Sequence, residues 1–334
     1  MNVTIIGDGA MPTVASIILT DNGHRVRVWG FFPEQIAELA RKRENQRYLP
    51  GVAFPEAVMF TAEPAEAFEG AELVLAGTPT QYIRPSWRRL AEHCPAGLPI
   101  VSAAKGIENE TLLRPTEVLA EVTGGKNPLA ALSGPNIARE IAMHKVATAT
   151  VASADAGLAK LVQKLFSTSY FRVYTNPDLI GVELGGAVKN VVAIAAGILD
   201  GMEAGDNTKA ALLTRGLVEI ARLGVALGAR RETFVGLSGL GDLVTTCVSP
   251  HGRNRSFGEA IGRGSTVQQA LAATASVVEG VATTASVLAL AKRHGVEMPI
   301  TQAVHAVLFE GKSPRDAIAG LMMRAPKGED AEWA

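Results

Sequence analysis

The N-terminal segment constrains the fold most, because an apolar run leads directly into a glycine-rich turn and then into a helical pattern. Residues 3–6 read Val-Thr-Ile-Ile, residues 7–12 read Gly-Asp-Gly-Ala-Met-Pro, and a helical pattern follows over residues 13–19. Strand, glycine turn and helix in this order are the context of a dinucleotide-binding turn, since the free N–H groups of the helix start can hold a pyrophosphate. An ordinary glycine-rich connection is the alternative, but the N-terminal position and the pattern that follows favour nucleotide binding.

Short β-rich runs and helical patterns alternate through the first half of the chain. Helical patterns such as residues 33–43 and 83–93 lie between several of the runs. This alternation predicts a mostly parallel sheet covered by helices on both faces, and with the glycine turn it predicts an α/β domain of the Rossmann type. The predicted strands are residues 2–6, 25–29, 73–77, 99–103, 129–133, 146–151 and 170–174.

The second half has a different character, because β-branched clusters become rare after residue 178 and long segments rich in Ala, Leu and Gly follow. Apolar residues in these segments recur at intervals of three and four, as on buried helices. We therefore predict a dinucleotide-binding domain over residues 1–180 and an all-α substrate and catalytic domain over residues 181–334. The predicted helices are residues 181–202, 207–227, 267–272 and 278–294.

Composition narrows the functional class. Lys and Arg number 32 against 33 Asp and Glu, so no overall positive field attracts nucleic acid or an anionic membrane surface, and a bound anion needs a local cluster. Two distant cysteines exclude a disulfide framework and suit a reducing compartment, and the six histidines show no metal-ligand spacing. The N-terminus lacks a signal-peptide pattern, and the apolar run at residues 191–199 is too short to cross a bilayer. We expect a cytoplasmic protein without a metal site or membrane insertion.

Lys105 follows the predicted strand at residues 99–103. The carboxyl ends of strands in an open α/β sheet face the ligand crevice, so a lysine there can hold an anionic or carbonyl oxygen. A solvated loop lysine is the alternative, and the spacing alone does not decide between the two.

Lys189 is more informative, because its helical face carries small residues. A smooth face permits close approach of a ligand or another backbone, and a partly desolvated ammonium there is suited to proton transfer. The alternative is a lysine whose head reaches solvent from a tight helix contact. The small residues on this face are Gly185, Gly186, Ala193, Ala196 and Gly197.

Two further segments carry candidate polar groups. Asp242 ends the glycine-rich turn at residues 236–241, where it is either the N-cap of a helix or a partner that orients a lysine. Arg253 and Asn254 precede another helical run, and an arginine at a helix start can bind phosphate through bidentate hydrogen bonds. A solvated basic loop is the alternative for this pair.

Nine short segments, in chain order, carry a family resemblance over nearly the whole chain. They are Tyr-Leu-Pro-Gly at 48–51, Lys-Gly-Ile-Glu at 105–108, Ser-Gly-Pro-Asn at 133–136, Phe-Arg-Val-Tyr-Thr-Asn-Pro-Asp at 171–178, Gly-Val-Glu-Leu-Gly-Gly-Ala-Val-Lys-Asn at 181–190, Gly-Asp-Asn-Thr-Lys-Ala-Ala at 205–211, Thr-Arg-Gly at 214–216, Gly-Leu-Ser-Gly-Leu-Gly-Asp-Leu at 236–243 and Arg-Asn-Arg at 253–255. Each segment is weak alone, but the ordered set resembles bacterial NAD(P)-dependent glycerol-3-phosphate dehydrogenases.

The resemblance implies reduction of dihydroxyacetone phosphate to sn-glycerol 3-phosphate with NADH or NADPH, in glycerophospholipid synthesis, by a homodimer. Lys189 would be the catalytic proton donor and acceptor, Lys105 would contact substrate and nicotinamide, and Asp242 would orient the ammonium groups. The implied substrate-binding residues are Lys105, Gly134, Asn136, Lys189, Asp242, Gly252, Arg253 and Asn254. The implied cofactor-binding residues are Gly7, Gly9, Ala10, Met11, Phe31, Lys105, Ala138, Arg253, Val277 and Glu279.

The chain departs from the family pattern at several of these positions. Pro12, expected at the first helical position, replaces the third glycine of the turn, and Phe31 replaces a basic residue. Asn136 and Gly252 each replace a serine. The second strand ends without the acid typical of NAD sites or the arginine typical of NADP sites, so the choice of cofactor stays open. Two rival functions remain, a reductase of another keto substrate such as a keto acid, and a non-catalytic dinucleotide-binding protein.

Overall fold

The computed structural model describes residues 1–274, 277–326 and 328–329, and within them the chain divides into two compact units. The first unit comprises Met1–Lys105 and Arg114–Leu179. The second comprises Gly106–Leu113 and the described residues from Ile180 onward. The short segment Gly106–Leu113 packs with the second unit although it lies within the first half of the chain.

The first unit is built on an eight-stranded sheet in the order β3-β2-β1-β4-β5-β6-β7-β8. Every neighbouring pair is parallel except β6 and β7, which are antiparallel. The mostly parallel sheet predicted from the sequence is therefore confirmed. The strands are β1 Asn2–Ile6, β2 Arg25–Trp29, β3 Met59–Thr61, β4 Leu73–Ala76, β5 Ile100–Ser102, β6 Leu129–Ser133, β7 Ala147–Ala152 and β8 Phe171–Asn176.

Helices connect most of these strands and cover the sheet. Strand β4 is a continuous apolar run, as expected for a strand with both faces buried. Ile5, Leu75 and Val101 contribute from adjacent strands to one apolar core. The helices are α1 Ala10–Asp21, α2 Pro33–Lys42, α3 Pro64–Phe68, α4 Thr80–Leu90, α5 Pro115–Val122, α6 Ala138–Ala142 and α7 Ala156–Phe166.

Two local predictions need correction. The edge strand Met59–Thr61 was missed, because three residues paired with β2 alone leave no readable alternation. Helix α1 begins at Ala10, so Pro12 is its third residue rather than its first. The first four N–H groups of a helix have no partner within it, so the missing N–H of Pro12 still removes no helical hydrogen bond.

The second unit consists of helices, which confirms the all-α prediction for this part of the chain. A 3₁₀ turn at Arg231–Val235 and a π-helical turn at Leu237–Gly241 precede α10. Leu184, Ile220 and Phe234 meet in its apolar core, and Ile107 from the Gly106–Leu113 segment joins them. The helices are α8 Leu179–Gly201, α9 Asp206–Ala226, α10 Asp242–Val248, α11 Arg253–Gly262, α12 Val267–Ala272, α13 Glu279–Arg293, α14 Pro299–Phe309 and α15 Pro314–Met322.

Helix α8 is the central element of this unit. It is the one helix in the described part of the chain that is long and apolar enough to cross a membrane. However, 83% of its most apolar window is buried inside the protein, as in a core helix. Its apolar residues are therefore accounted for by packing against the other helices of the unit.

Candidate active site

The glycine loop after β1 brings the start of α1 against the end of β4. Gly7 has a φ of +115°, and a Cβ added there would lie 3.1 Å from the carbonyl carbon of Gly77. Both the conformation and the space therefore require glycine at position 7. Gly9 is the N-cap of α1 and leaves the N–H groups of Ala10 and Met11 uncovered by a capping side chain. This loop can accept a pyrophosphate at the helix start.

Pro12 fits the loop by packing on a second glycine. A Cβ added at Gly77 would lie only 2.6 Å from Cγ of Pro12, so the proline ring occupies the space that the small residue leaves. Proline can therefore replace the third glycine of the turn because Gly77, directly after β4, leaves space for its ring.

Buried polar atoms without partners gather at the carboxyl ends of the strands. Within the described residues, four side-chain oxygens of this kind have no hydrogen-bond partner: Asp8 Oδ2, Thr78 Oγ1, Thr80 Oγ1 and Ser133 Oγ. Each unsatisfied buried group costs about 1–3 kcal/mol, so such atoms indicate a ligand or water that completes them. Ligands of open α/β sheets bind outside this edge, so the residues present fit a bound dinucleotide.

An aromatic cluster occupies the end of β2. The Phe31 ring lies edge-to-face with Trp29 and Phe32, with ring centroids 6.2 Å and 5.2 Å away. The Arg89 guanidinium lies 4.6 Å from the Phe31 centroid and donates to the Phe31 carbonyl oxygen at 3.2 Å. Phe31 therefore provides an apolar surface at the position where an acidic or basic side chain was expected.

The loops after β5 and β6 bring together three of the predicted site residues. Lys105 Nζ donates to the carbonyl oxygen of Gly134 at 3.0 Å, and Gly134 has a φ of +148°. Asn136 Nδ2 donates to the Thr148 carbonyl oxygen at 3.0 Å, which ties the loop to β7. Ala138 is the first residue of the short helix α6. Lys105 is thus a positioned side chain rather than a loosely solvated one.

Lys189 lies in the middle of α8 with its ammonium held by two side chains from α10. Its Nζ donates to a carboxylate oxygen of Asp242 and, at 2.6 Å, to Thr246 Oγ1. Lys189 is 5% exposed and Asp242 is 1% exposed. Asp242 is the first helical residue of α10 and Gly241 is its N-cap, so the alternative of a simple N-cap is wrong. The arrangement is a buried ion pair with a hydroxyl beside it.

Small residues on α8 permit this pairing. A Cβ at Gly185 would lie 2.7 Å from the carbonyl oxygen of Ser238, in the turn that leads to Asp242. A Cβ at Gly197 would lie 1.9 Å from the carbonyl oxygen of Arg255, in α11. Glycines on either side of Lys189 therefore let two other backbones approach α8 closely.

Asn254 links three elements through its side chain. Its Nδ2 donates to Asn190 Oδ1 at 2.9 Å, and its Oδ1 accepts from the Gly280 N–H at 3.0 Å. Asn190 is 4% exposed, and its Nδ2 has no partner among the described residues. The Asn254 amide was predicted to contact phosphate, but in the structure it is engaged in holding α8, α11 and α13 together.

The start of α11 carries the remaining predicted residues. Gly252 is its N-cap, and Arg253 Nη1 donates to the carbonyl oxygen of Val277 at 3.2 Å. Glu279 begins α13 and follows Val277 closely in sequence. Helix starts at Asp242, Arg253 and Glu279 therefore all lie near the middle of α8, and their dipoles favour an anion there.

Sequence reasoning missed two residues of this cluster, Thr246 and Asn190. Thr246 lies four residues after Asp242, which on a helix places both side chains on one face. Asn190 follows Lys189 directly, but nothing in the sequence predicted that its amide would face Asn254. No group of three or more His, Cys, Asp or Glu side chains that could hold a metal ion occurs in the part of the chain that the structure describes.

Comparisons with known proteins agree over both halves of the chain. A family model described as the N-terminus of NAD-dependent glycerol-3-phosphate dehydrogenase matches residues 2–159, and a model of the C-terminus of the same family matches residues 178–319. Both halves therefore match the same family in the expected order.

Individual relatives cover the chain almost completely. A glycerol-3-phosphate dehydrogenase [NAD(P)+] of Geobacillus thermodenitrificans is 45% identical over 98% of this chain and 96% of its own length. A relative of the same name from Salinibacter ruber is 47% identical over 98% of this chain and 97% of its length. The crystal structure of glycerol-3-phosphate dehydrogenase from Coxiella burnetii is 37% identical and superposes with a TM-score of 0.93, covering 97% of this chain and 99% of that one. With motifs, fold and relatives in agreement, the chain belongs to the NAD-dependent glycerol-3-phosphate dehydrogenase family.

Proposed function

We propose that this oxidoreductase reduces dihydroxyacetone phosphate to sn-glycerol 3-phosphate and that Lys189 supplies the proton. The observation that carries the proposal is the buried ammonium of Lys189 beside Asp242 and Thr246. A bound NADH or NADPH supplies the hydride for the carbonyl carbon. As the hydride arrives, negative charge develops on the carbonyl oxygen, and a positioned ammonium both stabilises that charge and donates a proton to it.

Asp242 is proposed to position the Lys189 ammonium rather than to react. A carboxylate at 1% exposure is little screened by water, so its attraction for the ammonium is strong and fixes the position of the Nζ atom. Thr246 Oγ1 holds a second position around the same nitrogen. These two contacts fix the place of the ammonium to which a substrate oxygen would bind.

The substrate phosphate is proposed to bind at the start of α11. Arg253 is exposed and presents a guanidinium beside the free N–H groups of this helix, which together suit a dianionic phosphate. Asn254 is proposed to contribute to phosphate binding through its backbone N–H and through its hydrogen bond to Asn190. Gly252, the N-cap, has no side chain that would block the phosphate. A phosphate held away from the reacting carbonyl aligns the ketone for the reaction.

The cofactor residues are proposed in the first unit and at the start of α13. Gly7, Gly9, Ala10 and Met11 form the pyrophosphate loop, and Phe31 offers its aromatic surface to the adenosine end. The predicted roles of the other residues are retained in the proposal: Lys105, Gly134 and Asn136 toward the substrate, and Lys105, Ala138, Arg253, Val277 and Glu279 toward the cofactor.

A direct test follows the nicotinamide absorbance with dihydroxyacetone phosphate and with either NADH or NADPH. We expect rapid oxidation of the reduced cofactor with dihydroxyacetone phosphate and much slower oxidation with dihydroxyacetone. The reason is that only the phosphorylated ketone can bind through the proposed anion site. Equal rates with both ketones, or a faster rate with a keto acid, would support the rival reductase. Cofactor binding by folded protein without turnover of any of these would support a non-catalytic protein.

Substitution of Arg253 by Ala tests the phosphate site. We expect a KM for dihydroxyacetone phosphate at least about tenfold higher, with a smaller effect on kcat, because the guanidinium acts in ground-state binding. Arg263→Ala removes the same charge at an exposed position at the other end of this helix, so it is the matched control and should leave KM unaltered. An unchanged KM in Arg253→Ala would contradict the assignment.

The wider context is part of the same proposal. We place the enzyme in the cytoplasm, as a homodimer that supplies sn-glycerol 3-phosphate for glycerophospholipid synthesis. The balanced net charge of −1 supports a partner that is a small phosphorylated molecule rather than a nucleic acid. We also propose that the first domain binds the dinucleotide and the second domain carries out catalysis, with a boundary near residue 180.

A further inference from the structure

We propose that the Asp8 carboxylate accepts the adenosine-ribose hydroxyls of the dinucleotide and makes this enzyme prefer NADH to NADPH. The inference rests on the cofactor use described above and adds a specificity-determining residue to it. Asp8 lies inside the glycine loop, between Gly7 and Gly9, and not at the end of β2, where an acid is typical of NAD sites.

The side chain of Asp8 reaches the end of β2 from the neighbouring strand. A Cβ added at Gly30, the residue after β2, would lie 3.2 Å from Asp8 Oδ2. The acid that holds the ribose in NAD-binding folds normally stands at the end of this strand. In this chain that end reads Gly30, Phe31 and Phe32, so Asp8 brings a carboxylate to a place that β2 itself leaves without one.

The backbone of the loop is held in this position. Asn45 Nδ2 donates to the Asp8 carbonyl oxygen at 2.8 Å and to Thr13 Oγ1 at 2.9 Å, and Asn45 is buried. Thr13 in turn donates to the Gly9 carbonyl oxygen through its Oγ1. Because these hydrogen bonds tie the loop to α1, the backbone position from which the Asp8 side chain projects is fixed.

The carboxylate is incompletely satisfied. Asp8 Oδ2 is buried and has no hydrogen-bond partner among the described residues. Burial raises the pKa of this carboxyl above its ordinary value, and interaction with its own backbone N–H and, to a smaller extent, attraction by Arg47 oppose the rise only in part. A ribose hydroxyl that donates to the carboxylate would complete it, whereas a 2′-phosphate would bring a second negative charge against it.

Two arginines at this edge would favour NADPH instead, because a guanidinium attracts a 2′-phosphate. Arg47 is exposed and attracts Asp8, and Arg89 is exposed and lies over the Phe31 ring. Exposed guanidinium groups are screened by water, whereas the partly buried carboxylate is not screened to the same degree. For this reason we expect Asp8 to decide the preference rather than either arginine.

The test measures dissociation constants of NADH and NADPH with the full-length protein, from nicotinamide fluorescence and without substrate. We expect wild type to bind NADPH at least about tenfold more weakly than NADH, because like charges would meet in the NADPH complex. Asp8→Asn keeps the shape and removes the charge, so it should narrow the ratio about tenfold, mainly by tightening NADPH binding. ADP-ribose and its 2′-phosphorylated form should show the same change, which separates ribose recognition from the nicotinamide end.

Glu34→Gln is the matched control, since it removes one exposed carboxylate from the first turn of α2 at the same edge. It should leave the ratio as in wild type. The role of Asp8 is overturned if the wild type binds the two cofactors equally, or if Asp8→Asn leaves the ratio of the two dissociation constants unchanged. Neither result affects the cofactor assignment itself. If the wild type prefers NADPH and Arg89→Ala loses NADPH binding, the preference is set by the arginine instead. If neither dinucleotide binds to the folded protein, the cofactor assignment itself fails.

Discussion

Lys189 and Asp242 form a pair that stability alone does not favour. Transfer of two charges to a buried site costs several kcal/mol per ion, and a well-packed apolar pair of similar volume is often at least as stable. Both partners are nevertheless buried, and the side-chain amide nitrogen of the neighbouring Asn190 has no hydrogen-bond partner among the described residues. Residues arranged at such cost are typical of sites that bind a ligand or carry out chemistry.

Replacement of Lys189 by Met should abolish most turnover. The change removes the ammonium and keeps a side chain of similar length, so kcat should fall by at least about 100-fold. Initial rates would be measured below the melting temperature of the variant, because Asp242 is left without its partner. Lys292→Met, at an exposed position in the last turn of α13, is the control. Activity within about tenfold of wild type would contradict the proposed role.

At the scale of elements, the contact between α8 and α11 is made by glycines. Cβ atoms at Gly197 and Gly258 would lie 1.9 Å and 2.1 Å from carbonyl oxygens of the opposite helix. Such distances are far inside van der Waals contact, so the two backbones touch because both helices lack side chains there. The contact also sets the position of Arg253 and Asn254 at the start of α11.

Gly197→Ala should therefore destabilise the protein, in contrast to the usual effect of alanine in a helix. We expect a loss of roughly 3 kcal/mol in the free energy of unfolding, because one methyl group forces the helices apart. Gly320→Ala in α15 is the control, where the nearest atom is the flexible end of Lys312. It should be neutral or stabilising by about 0.5–1 kcal/mol through helix propensity. Denaturant unfolding compares the two variants, and a wild-type midpoint for Gly197→Ala would refute the tight contact.

Helices α9 and α14 are joined by a buried carboxyl group. Glu219 in α9 accepts from the N–H groups of Ile300 at 2.5 Å and Thr301 at 3.3 Å, which are free donors at the start of α14. Burial raises the pKa of Glu219 from its ordinary value of 4.5 to about 7, although these hydrogen bonds oppose the rise. The folded state therefore holds this proton more tightly than the unfolded chain does.

This shift predicts a pH dependence of stability. Between pH 4.5 and about 7 the folded state binds more protons at Glu219 than the unfolded state, so the free energy of unfolding falls as the pH rises. The contribution of this group amounts to about 3 kcal/mol across the interval. Glu219→Gln does not titrate and should lose this decline, whereas Glu232→Gln, at an exposed position, should keep it. Parallel pH profiles for wild type and Glu219→Gln would show that the carboxyl group titrates normally.

At the scale of the whole molecule, the chain combines a mostly parallel sheet with a helical unit, and each has its own apolar core. The sheet unit offers a glycine loop and unsatisfied oxygens at its carboxyl edge, while the helical unit offers a buried ammonium near several helix starts. Both halves of the chain match the same dehydrogenase family, the first through its N-terminal model and the second through its C-terminal model.

The proposed homodimer is tested by mass. Light scattering on eluted protein should give twice the chain mass of 35.0 kDa at micromolar concentration. A single-chain mass with full activity would show that the assembled form is unnecessary for the reaction.

Local patterns in the sequence determined the fold class and most element positions. The glycine turn at residues 7–9 and the alternation of apolar runs predicted the parallel sheet, because these signals depend on neighbours within one element. The three- and four-residue spacing of small and apolar residues likewise predicted α8 and singled out Lys189. Ordered short motifs then identified the family, since their specificity comes from the set rather than from any one of them.

The tertiary structure decided which of these residues meet. Lys189 pairs with Asp242 across 53 residues of sequence, and Asn254 bonds to Asn190 across 64, contacts that depend on how closely α10 and α11 approach α8. The same holds for Asp8, whose carboxylate lies beside Gly30 at the end of β2, on a strand that is next to β1 in the sheet but distant in sequence. Periodicity describes the faces of one element, but the partner of each face is set by packing between elements, which no local pattern encodes.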